Sequence, residues 1–276
     1  VFASEMKAFL FDEEMGGFDV DKKSLQNYFT FQYVPEPKTM TGKVRALLQG
    51  YGVRTPVFVV PSGIDLRRFQ RPQVPGCRAS LLAALDIPRE NLVLVSVGRL
   101  AAEKNLDELL RFRAAMDDQA VTLLLVGDGP YRSQLEREAA ELGLREPQVV
   151  FAGMVPPQQV AEWYQLGDLF VSASSSETQG LTYVEALAAG VPALCRADPC
   201  LDGVIRDGEN GWQFRDFSDF MKKLDAFRAH PEQHQTLSKQ AALSAKDYSA
   251  EEFARRVEAI YLAQIARRRG QEEVSA

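Results

Sequence analysis

From Asn91 onward the chain alternates short apolar runs with stretches of helical periodicity, and that alternation constrains the fold more than any other property. Residues 92–97, 121–126, 149–151, 169–171 and 191–194 each read as a short, fully buried strand. Residues 106–116, 131–142, 157–166 and 181–189 lie between them and read as amphipathic helices. Strand and helix in repeated alternation require crossover connections, hence a parallel sheet covered on both faces and an α/β, Rossmann-like fold. The runs end at Gly98, Gly127, Gly153 and Ser172, so the loops with special backbone needs gather at one edge. In open α/β sheets ligands bind at that edge, beyond the carboxyl ends of the strands.

Downstream, a strand is expected at 212–214 and helices at 217–228, 231–245 and 250–268, the last with a capped start at Ser249, Glu251 and Glu252. Upstream, residues 42–49 read as a helix, 57–60 as a strand, and the proline-bearing stretch to Pro75 as a linker. The first forty residues carry several aromatics, among them Phe9, Phe11, Phe18, Tyr28, Phe29, Phe31 and Tyr33, with no strand–helix partner to bury them.

Composition narrows the partners. The chain has 276 residues, 32 basic against 38 acidic groups and a formal charge of -6, so nothing draws it to nucleic acid. Cys77, Cys195 and Cys200 are an odd count without CxxC spacing, which indicates neither a disulfide framework nor a zinc site. No apolar run approaches 18 residues and no secretory leader opens the chain, so the expected location is cytoplasmic. Arg267, Arg268 and Arg269 beside Ile260, Tyr261, Leu262 and Ile265 read as a solvated helix end, or as a weak contact with an anionic membrane.

Two cations follow the first strand. Arg99 offers a planar fork and Lys104 a compact charge, and both could reach one diphosphate. Glu103 between them would then turn to solvent; the alternative is that Arg99 and Lys104 are ordinary surface bases. The segment 174–190 favours the first reading. Glu177 lies in the loop after the fourth strand, and Gln179 and Gly180 lead into a helix begun near Leu181. Amides of Gly180, Leu181 and Thr182, at the head of that helix, would face an anion with the helix dipole assisting. Glu185, about one turn in, suits a ribose diol better than a phosphate, while Glu177 suits sugar hydroxyls. Gly180 permits positive φ or close backbone approach. Gly127 opens a tight turn on the same rim, and Val155 is placed to edge a nucleobase. The only histidines, His230 and His234, read as a helix-surface pair, and Cys195 as an inert thiol.

The strings PSGID at 61–65, VGRLAAEKN at 97–105, VGDGP at 126–130 and the Glu177-x7-Glu185 pattern resemble the retaining glycosyltransferases of family 4, two-domain proteins of the GT-B fold. SETQGLTYVEALAAGVP at 176–192 and ADPCLDGVIRDGENG at 197–211 are most similar to the diacylglycerol glucosyltransferase branch. The resemblance covers about residues 42–268. It implies that Arg99 and Lys104 neutralise a donor diphosphate and stabilise the departing nucleotide. Glu185 would hold the ribose and Glu177 the sugar, with Gly98, Gly127, Val155, Gln179, Gly180 and Leu181 completing the donor site. The implied reaction is a metal-independent, retaining transfer from a nucleotide sugar, UDP-glucose, to an acceptor such as diacylglycerol, with peripheral membrane contact. An inactive sugar-nucleotide-binding module is the alternative.

The same resemblance implies that most of an N-terminal domain is missing. Residues 1–40 instead resemble the interdomain region of glutamine-hydrolysing asparagine synthetases, on VFASEMKAFL and LQNYFTFQYVPEPKTM, without either active site of that family. The expected organisation is a foreign segment at 1–40 and a GT-B remnant with linker at 41–69. A nucleotide-sugar-binding domain at 70–248, a crossover helix at 249–268 and a disordered tail at 269–276 follow. Phe253, Val257, Ile260, Tyr261 and Ile265 form an apolar stripe on the last helix, which should be under-packed and prone to self-association. Each such side chain left exposed forfeits about 1.5–3 kcal/mol.

Overall fold

The structure is a computed structural model that describes residues 50, 58–70, 76–175 and 180–274, with backbone alone at 264 and 268–274. The apolar runs form six strands: β1 (Leu92–Val97), β2 (Val121–Val126), β3 (Val149–Gly153), β4 (Leu169–Ser172), β5 (Ala193–Arg196) and β6 (Gly211–Phe214). They pair in parallel in the order β3-β2-β1-β4-β5-β6. Among the α-helices that accompany them are α1 (Cys77–Ala84), α2 (Leu106–Ala115), α3 (Arg132–Glu141), α4 (Val160–Tyr164), α5 (Leu181–Ala188), α6 (Phe217–Ala229), α7 (His234–Ser244) and α8 (Ala250–Val274).

The uninterrupted apolar runs follow from burial on both faces. Val93, Val95, Leu124 and Val126 join Tyr164, Phe170 and Tyr183 in one core. Leu94, Leu123 and Leu125 join Leu110, Phe112 and Phe214 in the other. Successive strand residues thus alternate between two apolar layers, and all six positions of β2 are buried.

Several boundaries differ from the sequence expectation for identifiable reasons. The fifth strand starts at Ala193 rather than Val191, because Gly190 turns at φ +76° and the Val191 N–H donates to Ala186 O at 2.9 Å, closing the end of α5. The helix expected over 157–166 shrinks to α4, since two prolines at 156 and 157 hold its approach as a turn. Phe58 to Val60 carry no strand pairing, against the strand expected there, and the rest of that segment lies outside the described residues.

The stretch read as a polar linker is half core. Leu66 and Phe69 are buried in the first apolar layer. Ile64 donates its N–H to Tyr248 O at 2.9 Å and accepts from the Ala250 N–H at 3.0 Å, which pins the start of α8. A Cβ at Gly63 would lie 2.7 Å from the Ala250 Cα and the Phe253 Cβ, so backbone and helix touch there. The chain divides into the units Val1–Thr39 and Met40–Ala276, and the first lies outside the described residues.

The last helix extends beyond its expected end. It runs unbroken to Val274, well past Arg268, because nothing after that point stops a helix except Gly270, which costs about 1 kcal/mol at most. Its apolar stripe is poorly covered. Phe253, Val257 and Ile260 are only half-buried and Tyr261, Leu262 and Ile265 are exposed, whereas Leu124 and Val126 are fully buried. Among the described residues no helix is long and apolar enough to cross a membrane.

Candidate functional site

The strand order reverses between β1 and β4. These are neighbours, but β1 continues through α2 toward β2 and β4 continues through α5 toward β5. The two outgoing chains diverge and leave a crevice at the carboxyl edge, which is where such sheets bind ligands.

Both motif segments flank that crevice. Ser96, Val97, Gly98, Arg99, Leu100 and Lys104 from the β1 side line a small cavity of about 20 Å³ together with Phe170, Ser172 and Thr182 from the β4 side. It has room for about one water molecule and forms the floor of the crevice. Larger hollows of about 380 and 300 Å³ lie at the opposite edge, around Arg78, Asp168 and His234. The carboxylate common to both is already held: Arg78 bonds Asp168 at 3.1 Å, and Asp168 accepts the Val93 N–H at 2.8 Å. The chemistry therefore favours the small cavity.

Backbone contacts make the β1 rim rigid. Gly98 N–H donates to Val126 O at 2.9 Å, and Leu100 N–H to Asp128 O at 3.0 Å. A Cβ at Gly127 would fall 1.9 Å from Gly98 O, so glycine there is a requirement of close approach. The loop carrying Lys104 is stapled to the loop after β4. Asn105, at φ +48°, donates from Nδ2 to Ala173 O at 3.2 Å, and buried Ser174 donates from Oγ to Glu103 O at 3.3 Å. Two segments about 70 residues apart in sequence thus hold one geometry.

Arg99 is exposed and pairs with Glu103, so Glu103 does not simply face solvent as expected. The Glu103 carboxyl is held below its usual range by its own backbone N–H and then by Arg99. An anion arriving at Arg99 competes with an exposed ion pair worth about 0–1 kcal/mol, a weak competitor.

Across the crevice, Gly180 at φ +62° caps α5 without a side-chain hydrogen bond, and its Cβ would lie 2.6 Å from Tyr183 Cδ2. The first turn of α5 therefore presents backbone amides, with Leu181 exposed and Thr182 on the cavity wall. Glu185 is half-buried one turn in. Burial raises its pKa, opposed by a hydrogen bond from Tyr164 and the charge of Arg68. Tyr164 Oη donates to Glu185 Oε2 at 2.8 Å. Val155 is half-buried against the core, and its neighbour Met154 is 79% exposed at the rim. Glu177 and Gln179 lie outside the described residues.

Sequence reasoning located Gly98, Arg99, Lys104, Gly127, Gly180, Leu181 and Glu185, and the structure brings Gly98, Arg99 and Lys104 together with the head of α5. It named Ser172 only as a strand end, Thr182 only for its amide and Asn105 only as a helix start, and it missed Tyr164 and Arg68. Only Asn105 left a signal, as a residue type that tolerates positive φ. His230 bonds Glu232 at 3.1 Å, and His234 stacks on Phe227 at 3.8 Å between ring centroids, far from the crevice. Burial pushes the Cys195 thiol well up, which makes it inert. Among the described residues no three His, Cys, Asp or Glu cluster in a way that could hold a metal.

Residues 78–244 match the profile of a family described as Glycosyl transferases group 1. Alpha-monoglucosyldiacylglycerol synthase of Streptococcus pneumoniae (strain ATCC BAA-255 / R6) is 36% identical over 224 residues, covering 79% of this chain and 50% of the synthase. The Acholeplasma laidlawii protein of the same name is 34% identical over 209 residues, covering 74% of this chain and 52% of its own. The chain thus spans about half the length of the curated relatives it matches. Among solved structures, Anabaena HepE in complex with UDP-glucose superposes with a TM-score of 0.72 at 19% identity, covering 82% of this chain and 63% of that one. The C-terminal domain of LpcC, a glycosyl transferase group 1 family protein from Francisella tularensis, superposes with a TM-score of 0.55 at 19% identity, covering 67% of this chain and 97% of that domain. These likenesses show the fold: the sheet is the Rossmann-like, C-terminal type of GT-B domain.

Proposed function

This chain belongs to the group 1 glycosyl transferases, and we propose that its carboxyl-edge crevice binds the diphosphate and ribose of a nucleotide sugar, UDP-glucose, for retaining transfer of glucose to diacylglycerol. The observation that carries this reading is the cavity lined jointly by Gly98, Arg99 and Lys104 after β1 and by Thr182 in the first turn of α5. Arg99 and Lys104 supply two positive charges and α5 supplies oriented amides, so charge that develops on the leaving diphosphate meets fixed donors. Neutralisation by these two side chains needs no metal. Glu185, with one oxygen bonded to Tyr164, offers the other to the ribose diol. Gln179 amide and the Glu177 carboxylate are assigned to the sugar. Gly127 and Val155 complete the rim, the latter toward the base.

The relatives named for diacylglycerol support a lipid acceptor, and with it work at a membrane surface. Among the described residues there is one sheet, hence one wall of a cleft. Desolvation and acceptor placement call for two, so transfer by this chain alone should be slow. The test is a labelled-glucose assay with diacylglycerol vesicles and soluble hydroxyl acceptors, with and without EDTA. Slow, EDTA-insensitive formation of α-glucosyldiacylglycerol is expected. Transfer to the soluble acceptors only would overturn the lipid assignment. Nucleotide binding with neither transfer nor hydrolysis would favour an inactive sugar-nucleotide module.

A further inference from the structure

The side chain that holds Glu185 comes from inside the core. Tyr164 ends α4, is fully buried, and donates its hydroxyl to Glu185 Oε2 at 2.8 Å. Its ring is fixed by Phe69, edge-on at 6.1 Å, and by Phe170, tilted at 5.9 Å between centroids. A ring so clamped cannot follow a wandering carboxylate, so the carboxylate follows the ring. Burial pushes the Tyr164 phenol well up, and the charge of Glu185 pushes it further, so the hydroxyl stays a donor. Arg68 also acts on Glu185 electrostatically, and its guanidinium donates to Pro157 O at 3.2 Å on the rim.

We propose that Tyr164 is a positioning residue for ribose recognition: by occupying Glu185 Oε2 it fixes the carboxylate plane and leaves Oε1 to accept the ribose hydroxyls. Packing alone does not explain a tyrosine here, because phenylalanine fills the same space against Phe69 and Phe170 without a buried hydroxyl to satisfy. The hydroxyl has one use among the described residues, which is Glu185. This inference rests on the reading of Glu185 as the diol-holding group. It adds that the selectivity of the site for ribose is set by a residue that touches no substrate.

The test titrates UDP and 2′,3′-dideoxy-UDP into the full chain, Tyr164→Phe, Glu185→Gln and the double variant. Tyr164→Phe should bind UDP roughly tenfold more weakly, the scale of a lost hydrogen bond to a charged group. Its affinity for the dideoxy ligand should not change, so the preference for ribose shrinks. In the Glu185→Gln background, Tyr164→Phe should add no further loss. The double variant also removes the stranded carboxylate, and so reports even if Tyr164→Phe alone folds poorly. Equal loss for both ligands, an unchanged ribose preference, or an additive double variant would overturn the role of Tyr164. An unaltered chain that binds UDP no better than dideoxy-UDP would instead overturn the assignment of Glu185. A chain that binds neither would overturn the nucleotide-sugar reading, and this role with it.

Discussion

Replacing Gly180 with alanine should damage fold and site together, and the size of the loss can be worked from two local features. Gly180 sits at φ +62°, where an alanine costs about 1–2 kcal/mol relative to glycine. A Cβ there also lies 2.6 Å from Cδ2 and 3.0 Å from Cε2 of Tyr183. That ring cannot retreat. Tyr183 is fully buried, its ring packs edge-on to Phe170 at 5.4 Å, and its hydroxyl is 2.7 Å from Ser172 Oγ. Overpacking of this kind costs about 1–3 kcal/mol. The combined loss of about 2–5 kcal/mol is a large share of the roughly 5–15 kcal/mol that holds a domain together. At about 2–4 °C per kcal/mol for a domain this size, melting should fall by about 4–20 °C. The assay is urea denaturation followed by circular dichroism, on Gly180→Ala in the native and Tyr183→Leu backgrounds. Removing the ring should leave only the backbone cost of about 1–2 kcal/mol. A loss below about 1 kcal/mol in the native background, or the same loss in both, would refute the reasoning.

Arg113 is 1% exposed, donates from Nε to Val121 O at 2.9 Å, and leaves Nη1 and Nη2 without a partner among the described residues. Burial lowers its pKa, and Arg113→Met should leave stability unchanged or raise it by about 1–4 kcal/mol in urea denaturation; a clear loss would mean the guanidinium is better satisfied than its contacts indicate. Glu185 is harder to ionise folded than unfolded, chiefly through burial, so native protein binds the extra proton and stability falls as pH rises through that window. Glu185→Gln should therefore melt higher than the unaltered chain at pH 7, converge with it below the ordinary carboxylate range of about 4, and bind UDP more weakly; a lower melting temperature at pH 7 would contradict this. Tyr261 and Ile265 are 49% and 47% exposed, so changing either to glutamine should shift stability by no more than about 0.5 kcal/mol while reducing self-association in sedimentation. A shift of several kcal/mol would show the stripe on α8 to be covered.

The parts of the fold that the sequence revealed were those governed by local periodicity. β1 and β2 match their expected residues because a six-residue apolar run between turn signals leaves little else to form. β5 slipped by two residues because Val191 and Pro192 are as apolar as the strand they precede, and only the closing turn of α5 decides between them. That Arg99 and Lys104 follow β1, and that Gly180 and Glu185 sit at the head of α5 and inside it, was legible from residue type at the turns between strand and helix. Contacts of long sequence separation were not. The Tyr164–Glu185 bond spans 21 residues, and the Asn105–Ala173 bond spans 68. Nothing in either local sequence marks its partner. The burial of Leu66 and Phe69 was hidden for a different reason: each is a lone apolar residue among arginines and prolines, a composition that reads as linker until the core beneath it is seen.

That a nucleoside diphosphate binds at the carboxyl edge between β1 and β4 is tested most directly by calorimetric titration of UDP into the intact chain and into Lys104→Ala, with and without EDTA. Lys104 lines the cavity between those strands, and a charge-assisted contact to a phosphate is worth about 1.5–3 kcal/mol, or roughly 10–150-fold in affinity. Saturable, EDTA-insensitive binding to the intact chain, weakened by that factor in Lys104→Ala, is the expected result. No binding to the intact chain at millimolar UDP, or equal affinity in the two proteins, would contradict it.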